Sequence, residues 1–171
     1  DKDTSRGLGD VYKRQYQIVL DAQLAAIDAC QVGNLYTDPH DAARTVLAEG
    51  LIRLGVISQS LDEALDPETG DLRKWYMHNT SHWIGLDVHD AGVYKPGGTP
   101  RVLEPGMCLT IEPGLYFGAW RPDVDCPERY ANIGIRIEDD VLITTDGPVV
   151  LTADCPKSID DIENIVGQDL A

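Results

Sequence analysis

The spacing of the hydrophobic residues changes along the chain. From Gln15, the residues Tyr16, Val19, Leu20, Leu24 and Ile27 recur at steps of three and four, the signature of an amphipathic helix with one apolar stripe. Gly33 and Asn34 end it. Residues 1–14 before it are charged, carry Gly7 and Gly9, and show no period, so they read as a loose leader. A second helix is predicted where Asp38 can cap, Pro39 suits the first turn, Ala43, Val46, Leu47, Leu51 and Leu54 form one face, and Gly55 stops the run. SQSLDEALD, residues 58–66, reads as a third, short helix, followed by a loop at Asp66-Pro67 and Gly70.

After residue 75 the texture becomes strand-like. In MCLTIE, Met107, Leu109 and Ile111 alternate with Cys108, Thr110 and Glu112. In IGIRIE, Ile133, Ile135 and Ile137 alternate with Gly134, Arg136 and Glu138. Period two puts an apolar side on one face of each strand and the functional groups on the other. VLITTDGPVVLT adds two runs around a Thr-Asp-Gly-Pro turn. Ser158 can cap a last helix through Ile162, Ile165 and Val166. Helices first and a sheet afterwards predict an α+β fold, with helices packed on an antiparallel sheet.

Composition narrows the partners. With 29 acidic against 14 basic residues, the net charge is -15, which argues against binding nucleic acid through its phosphates or adhering to anionic lipid. No apolar run approaches the roughly 18 residues of a membrane helix. Cys30, Cys108, Cys126 and Cys155 are scattered and form no CxxC pair, so reduced thiols in a cytoplasmic protein are expected.

The chemistry concentrates in HNTSHWIGLDVHD, residues 78–90, which holds three of the four histidines: His78, His82 and His89. Histidine titrates near neutral pH and is the commonest metal ligand. Spacing alone leaves the choice open. On a strand, His82 and His89 face opposite ways unless a bulge or turn intervenes, while His78 and His82 share a face. Glu112 and Glu138 each end an apolar strand. A carboxylate there costs little if the face sees water and much if it does not. Two glutamates and an imidazole on neighbouring strands would offer manganese, zinc, cobalt or iron a hard donor set; the bland alternative is a solvated face with an Arg–Glu pair.

HNTSHWIGLDVHD, LEPGMCLTIEPGLYF and GIRIEDDVLITTDGPVVLT, in this order, resemble the catalytic domain of the pita-bread metallopeptidases, most closely its aminopeptidase P (Xaa-Pro aminopeptidase) branch. CPERYANIGIRIEDD and QYQIVLDAQLAAIDAC resemble that branch too, so the likeness covers residues 15–171. It implies a curved sheet carrying two metal ions, usually manganese (Mn2+), with Zn2+, Co2+ or Fe2+ as alternatives. Two aspartates, a histidine and two glutamates would hold them. His82, Glu112 and Glu138 match the histidine and the glutamates, with Glu138 bridging and Glu112 also acting as general base. His78 and His89 match the histidines that bind substrate and steady the tetrahedral intermediate, and Tyr116 and Arg136 match residues of the proline subsite. The implied reaction releases the N-terminal residue of a peptide with proline second, by hydroxide that the metal pair generates. A prolidase restricted to dipeptides, or an inactive pita-bread module, are the alternatives. Homo-oligomers and an added N-terminal domain occur in the family.

Three departures qualify the match. The aspartate ligands belong on a hairpin just before Gln15, but DKDTSRGLGDVYKRQ does not resemble it, so no role passes to Asp1, Asp3 or Asp10. The expectation is a C-terminal fragment behind a foreign or mistranslated leader. Its three ligands would hold at most a single ion weakly, the carboxyl pKa values would rise without their counter-charge, and one sheet edge would be open. Asn79 stands where the family usually has glycine, and asparagine tolerates positive φ. In the loop WRPDVDC, residues 120–126, Trp120 is expected to pack rather than read substrate.

Overall fold

The computed structural model describes residues 2–122 and 124–166, with side chains from Gly9 onward. The first helix, α1 (Lys2–Asp28), begins well before Gln15. No proline interrupts residues 2–14, and once a helix is nucleated each further residue adds a hydrogen bond at small cost. Its buried face is Gln15, Ile18, Val19, Leu20, Ala22, Gln23, Ala26 and Ile27, while Leu24 is 51% exposed. The expected stripe was therefore right in period and wrong at one edge. It placed Leu24 inside and overlooked two glutamines, Gln15 and Gln23, both at 0% exposure.

The second helix, α2 (Asp38–Arg53), lies against α1. Gly50 allows the approach, since a Cβ there would meet Ile18 Cγ2 at 2.5 Å. Asp38 does not cap it: Thr37 holds the N-cap position without a side-chain bond, and Asp38 accepts from Leu35 N at 2.8 Å instead. The short α3 (Leu61–Leu65) carries a capping box formed by Ser60 and Glu63.

Residues 75–107 are less strand-like than their composition suggests. They hold a 3-10 turn at Pro96–Gly98 and two isolated bridges, Trp83 with Leu109 and Leu35 with Val102. Gly85, Gly92, Pro96 and three further glycines break the run. Regular strands follow. One antiparallel sheet joins β1 (Cys108–Ile111), β4 (Asp139–Thr144) and β5 (Gly147–Val150) in the order β1-β4-β5. A second pairs β2 (Gly114–Tyr116) with β3 (Gly134–Arg136). Ser158 caps the final helix, α4 (Ile159–Ile165), accepting from Asp161 N at 3.1 Å.

Alternation holds closely in the strands. Ile135, Ile137, Val141 and Ile143 are buried, while Gly134, Arg136 and Glu138 are exposed. Leu109, Ile111 and Leu115, each 0% exposed, join the helices in one core. Each such burial is worth roughly 1.5–3 kcal/mol. On the other face of β1, Thr110 and Glu112 are buried as well, at 1% and 7%.

Candidate metal centre

The two sheets share a pair of strands that change sheets together. Ile111 pairs with Asp139 in one sheet, and Gly114 pairs with Arg136 in the other. Between them lie Glu112 and Pro113 on one strand and Ile137 and Glu138 on the other, with Ile137 N donating to Pro113 O at 3.3 Å. Both glutamates thus occupy the same corner, each on the face opposite the isoleucine core. Gly114 keeps this corner tight: a Cβ would meet the Tyr116 hydroxyl at 2.5 Å and Ile135 O at 2.8 Å.

His82 arrives from the irregular segment. Residues 80–84 run antiparallel beside β1, through Glu112 N to Thr80 O (2.8 Å), Thr110 N to His82 O (3.0 Å) and Ile84 N to Cys108 O (3.1 Å). Thr110 adds a side-chain clasp: its Oγ1 accepts from His82 N at 3.0 Å and donates to Glu112 Oε1 at 3.0 Å. One ligand atom each from His82, Glu112 and Glu138 lies within 4.8 Å of the others.

The geometry of that cluster suits a cation. His82 Nδ1 is 3.1 Å from Trp83 O, and a carbonyl only accepts, so Nδ1 carries the hydrogen. In the neutral ring the Nε2 lone pair then points at Glu112 Oε1, 3.2 Å away. Two acceptors at that distance repel unless a proton or a metal ion lies between them. Burial, and then the charge of Glu112, raise the pKa of Glu138, as expected for carboxylates that lack their counter-charge. An imidazole and two carboxylates suit a borderline or hard divalent ion.

Beside the cluster stands a second group. Arg136 Nη1 donates to Glu112 Oε2 at 3.1 Å, and Arg136 Nε donates to the Tyr116 hydroxyl at 2.6 Å. His78 Nε2 faces Arg136 Nη2 at 3.2 Å and the Tyr116 hydroxyl at 2.8 Å. Arginine can only donate, so His78 Nε2 accepts and its hydrogen sits on Nδ1, 2.7 Å from Asn79 O. Burial, and the positive charge of Arg136, lower the His78 pKa, consistent with that neutral ring.

The candidate ligand and substrate residues from the sequence lie in one neighbourhood. His82, Glu112 and Glu138 converge; His78, Tyr116 and Arg136 form the adjoining wall; His89 is exposed, with its ring edge-on to His82 at 4.5 Å. Strand logic fails for the histidines, because residues 78–90 turn repeatedly: His82 and His89 meet, and His78 and His82 contact different groups. Asn79 has no positive φ; among the described non-glycine residues only Asn132 does, at 65°. Trp120 is 75% exposed and lies over Gly118. Asp1 and the side chain of Asp3 lie outside the described residues, and Asp10 sits on α1, apart from the cluster.

The sequence reading missed the support behind the histidines. His40, on α2, has Nδ1 2.8 Å from Thr80 Oγ1, which is 2.6 Å from the Tyr76 hydroxyl. Burial, and then Arg44, lower its pKa to about 4. Its place three residues before Ala43 and seven before Leu47, on the apolar face of α2, was the available signal.

The sequence pattern of metallopeptidase family M24 matches residues 3–145. The Xaa-Pro aminopeptidase 1 of Streptomyces coelicolor is 44% identical over 155 residues, 90% of this chain and 31% of that protein. The Xaa-Pro aminopeptidase of Escherichia coli is 40% identical over 151 residues, 88% of this chain and 33% of that protein. Among solved structures, the aminopeptidase PepP of Pseudomonas aeruginosa superposes with a TM-score of 0.82 at 42% identity, over 89% of this chain and 34% of that one. Aminopeptidase P from E. coli with the inhibitor Pro-Leu gives 0.81 at 39% identity, over 91% and 34%. The chain therefore spans about a third of the length of the curated relatives it matches. The architecture is the α+β pita-bread fold of those structures, over the share of it that this chain covers.

Proposed function

Because the chain belongs to metallopeptidase family M24, we propose that it supplies His82, Glu112 and Glu138 as ligands, and an adjoining proline-side wall, to an Xaa-Pro aminopeptidase centre. The observation that carries this reading is the convergence of His82, Glu112 and Glu138 in a cluster of three ligand atoms, with His82 Nε2 3.2 Å from Glu112 Oε1. Membership in a metallopeptidase family implies a divalent metal. Manganese is the ion proposed, two in a centre completed by further carboxylates and a single, weakly held one where only these three side chains contribute. When bound, the metal makes water a nucleophile near neutral pH and polarises the scissile carbonyl.

The remaining work falls to the chain's own groups. Glu112, steadied by Thr110 at Oε1 and Arg136 at Oε2, takes the proton from water and passes it toward the leaving proline nitrogen. His89 donates to the developing oxyanion. Neutral His78, with Tyr116 and Arg136, holds the proline side of the substrate. The substrate is a peptide with proline second, since the relatives carry the name Xaa-Pro aminopeptidase. Residues 15–171 are assigned as the catalytic segment, in a cytoplasmic enzyme; among the described residues no helix is long and apolar enough to cross a membrane.

Calorimetric titration with Mn2+ tests this. The chain is expected to bind the ion, and Glu138→Gln to weaken binding by more than about a hundredfold, since even outer partners of a metal site are worth roughly 10–100-fold. Equal binding by both proteins would overturn the ligand assignment. Release of the first residue from an Xaa-Pro tripeptide, compared with an Xaa-Pro dipeptide, distinguishes aminopeptidase from prolidase.

A further inference from the structure

The sequence Glu138-Asp139-Asp140 places three acids in a row at the metal corner. In a strand, consecutive side chains point to opposite faces, so a slip of one residue would exchange them. The isoleucine alternation puts Glu138 on the metal side, but the same period drops Asp139 onto the buried side with Ile137 and Val141, where an unpaired carboxylate is costly. We infer that a buried socket formed by Gln23, Thr152 and Lys157 holds that register, by accepting Asp139 on the buried side and so keeping Glu138 turned toward the metal cluster. The inference rests on the reading of Glu138 as a ligand.

Asp139 is 1% exposed, whereas Glu138 is exposed. Asp139 Oδ2 accepts from Gln23 Nε2 at 2.5 Å, and Oδ1 accepts from Thr152 Oγ1 at 2.5 Å and Lys157 Nζ at 2.8 Å. Lys157 Nζ also donates to Thr152 O at 3.2 Å and Cys155 O at 2.8 Å, which occupies its three hydrogens. The socket draws on three parts of the chain: α1, the turn after β5 and the segment before α4. Asp139 pairs with Ile111, the neighbour of Glu112, so the anchor sits beside both glutamates.

Stability does not account for this arrangement. A buried ion pair is commonly matched or bettered by apolar residues of the same shape, and its best-attested use is to fix register. The Gln23 amide oxygen is buried without a partner, so that side chain is retained for what its nitrogen reaches. A glutamate in place of Asp139 is one methylene longer, and the socket closes on the aspartate at short range from three donors. Asp139 is a positioning residue: it touches no substrate and acts through Glu138.

Asp139→Asn, Lys157→Met and the neutral pair Asp139→Asn with Lys157→Gln test it on the whole chain, by crystal structure and by Mn2+ titration. In the two single variants Glu138 is expected to leave the cluster with His82 and Glu112, and Mn2+ affinity to drop by roughly tenfold or more, the size of an outer-partner effect. The neutral pair, which can rebuild the hydrogen bonds, is expected to return Glu138 and the affinity. Glu138 held in place, with affinity unchanged in folded single variants, overturns the inference. If Asp139→Asn does not fold, Lys157→Met decides by the same two readouts. If the unaltered chain binds no Mn2+, the metal reading fails, and the position of Glu138 in the variant structures still decides the register question.

Discussion

Glu112 and Glu138 stand on paired strands whose alternation can be followed residue by residue, whereas His78, His82 and His89 stand on a segment with one bridge and no ladder of its own. The strand corner follows local rules, period two and antiparallel pairing, with the distant socket around Asp139 holding its register. The histidine segment is fixed from outside, by β1 along one side and by α2 behind it. Tyr36 on the loop before α2 donates to Ser81 O at 2.6 Å, and His40 and Tyr76 hold the Thr80 hydroxyl. A metal centre that joins two such regions is only as ordered as the contacts between them.

Thr110 is the contact on which the two regions depend most, and its removal has the largest expected effect. It is 1% exposed, and its hydroxyl serves His82 N and Glu112 Oε1 at once. Thr110→Val keeps shape and strand propensity but leaves a buried amide and a carboxylate oxygen each short of a partner, at roughly 1–3 kcal/mol apiece. Urea unfolding is expected to show a loss of about 2–6 kcal/mol, and Mn2+ titration a fall in affinity of roughly tenfold or more. An unchanged midpoint would show that the backbone ladder between residues 80–84 and β1 holds the histidine segment by itself.

A second experiment loosens the segment from the α2 side, by pH. The His40 pKa is lowered to about 4 in the folded protein, by burial first and by Arg44 next. Unfolded, an imidazole titrates near 6.5. Between these values the unfolded chain binds the proton and the folded chain does not, so stability falls as pH drops through about 6.5 and levels off below about 4. Above 6.5 both states are neutral at this site and the effect vanishes. From pH 7 to pH 5 the contribution amounts to about 2 kcal/mol. Comparing urea midpoints of the unaltered chain with His40→Gln at both pH values isolates it from the many carboxylates. The same slope in the two proteins would mean that His40 is reached by solvent.

What the sequence could reveal follows the same division. The isoleucine alternation around Gly134, Arg136 and Glu138 states a face outright, and Ser158 announces the last helix at the right place. The α1 stripe was legible in period, but Gln15 and Gln23 are polar residues buried for hydrogen bonds with Leu115 O and Asp139, partners far away in the chain. No local pattern marks such a glutamine. Likewise the aliphatic look of residues 78–90 suggested a strand, yet the path is set by β1, and the convergence of His82 with Glu112 depends on a pairing 28 residues apart in sequence. The motifs named the residues; only the pairing brings them to one point.

The smallest effect is expected at the far end of the histidine segment, and it sharpens the contrast. Leu86 is 102% exposed and Val88 is 73% exposed, on the stretch that carries His89 past His82. If that stretch took its order from burial, as β1 does, Leu86 would matter. Instead its backbone is tied by Asp90 N to Trp83 O at 3.1 Å and Gly85 N to Asp87 O at 3.2 Å, bonds that do not involve the Leu86 side chain. A substitution at a fully exposed position away from caps and networks usually changes stability by less than about 0.5 kcal/mol. Leu86→Ser is therefore expected to leave the urea midpoint within that margin and the Mn2+ affinity unchanged, while Thr110→Val alters both. A loss above about 1 kcal/mol for Leu86→Ser would mean that another surface covers this tip in solution, and that the histidine segment is held from a third side.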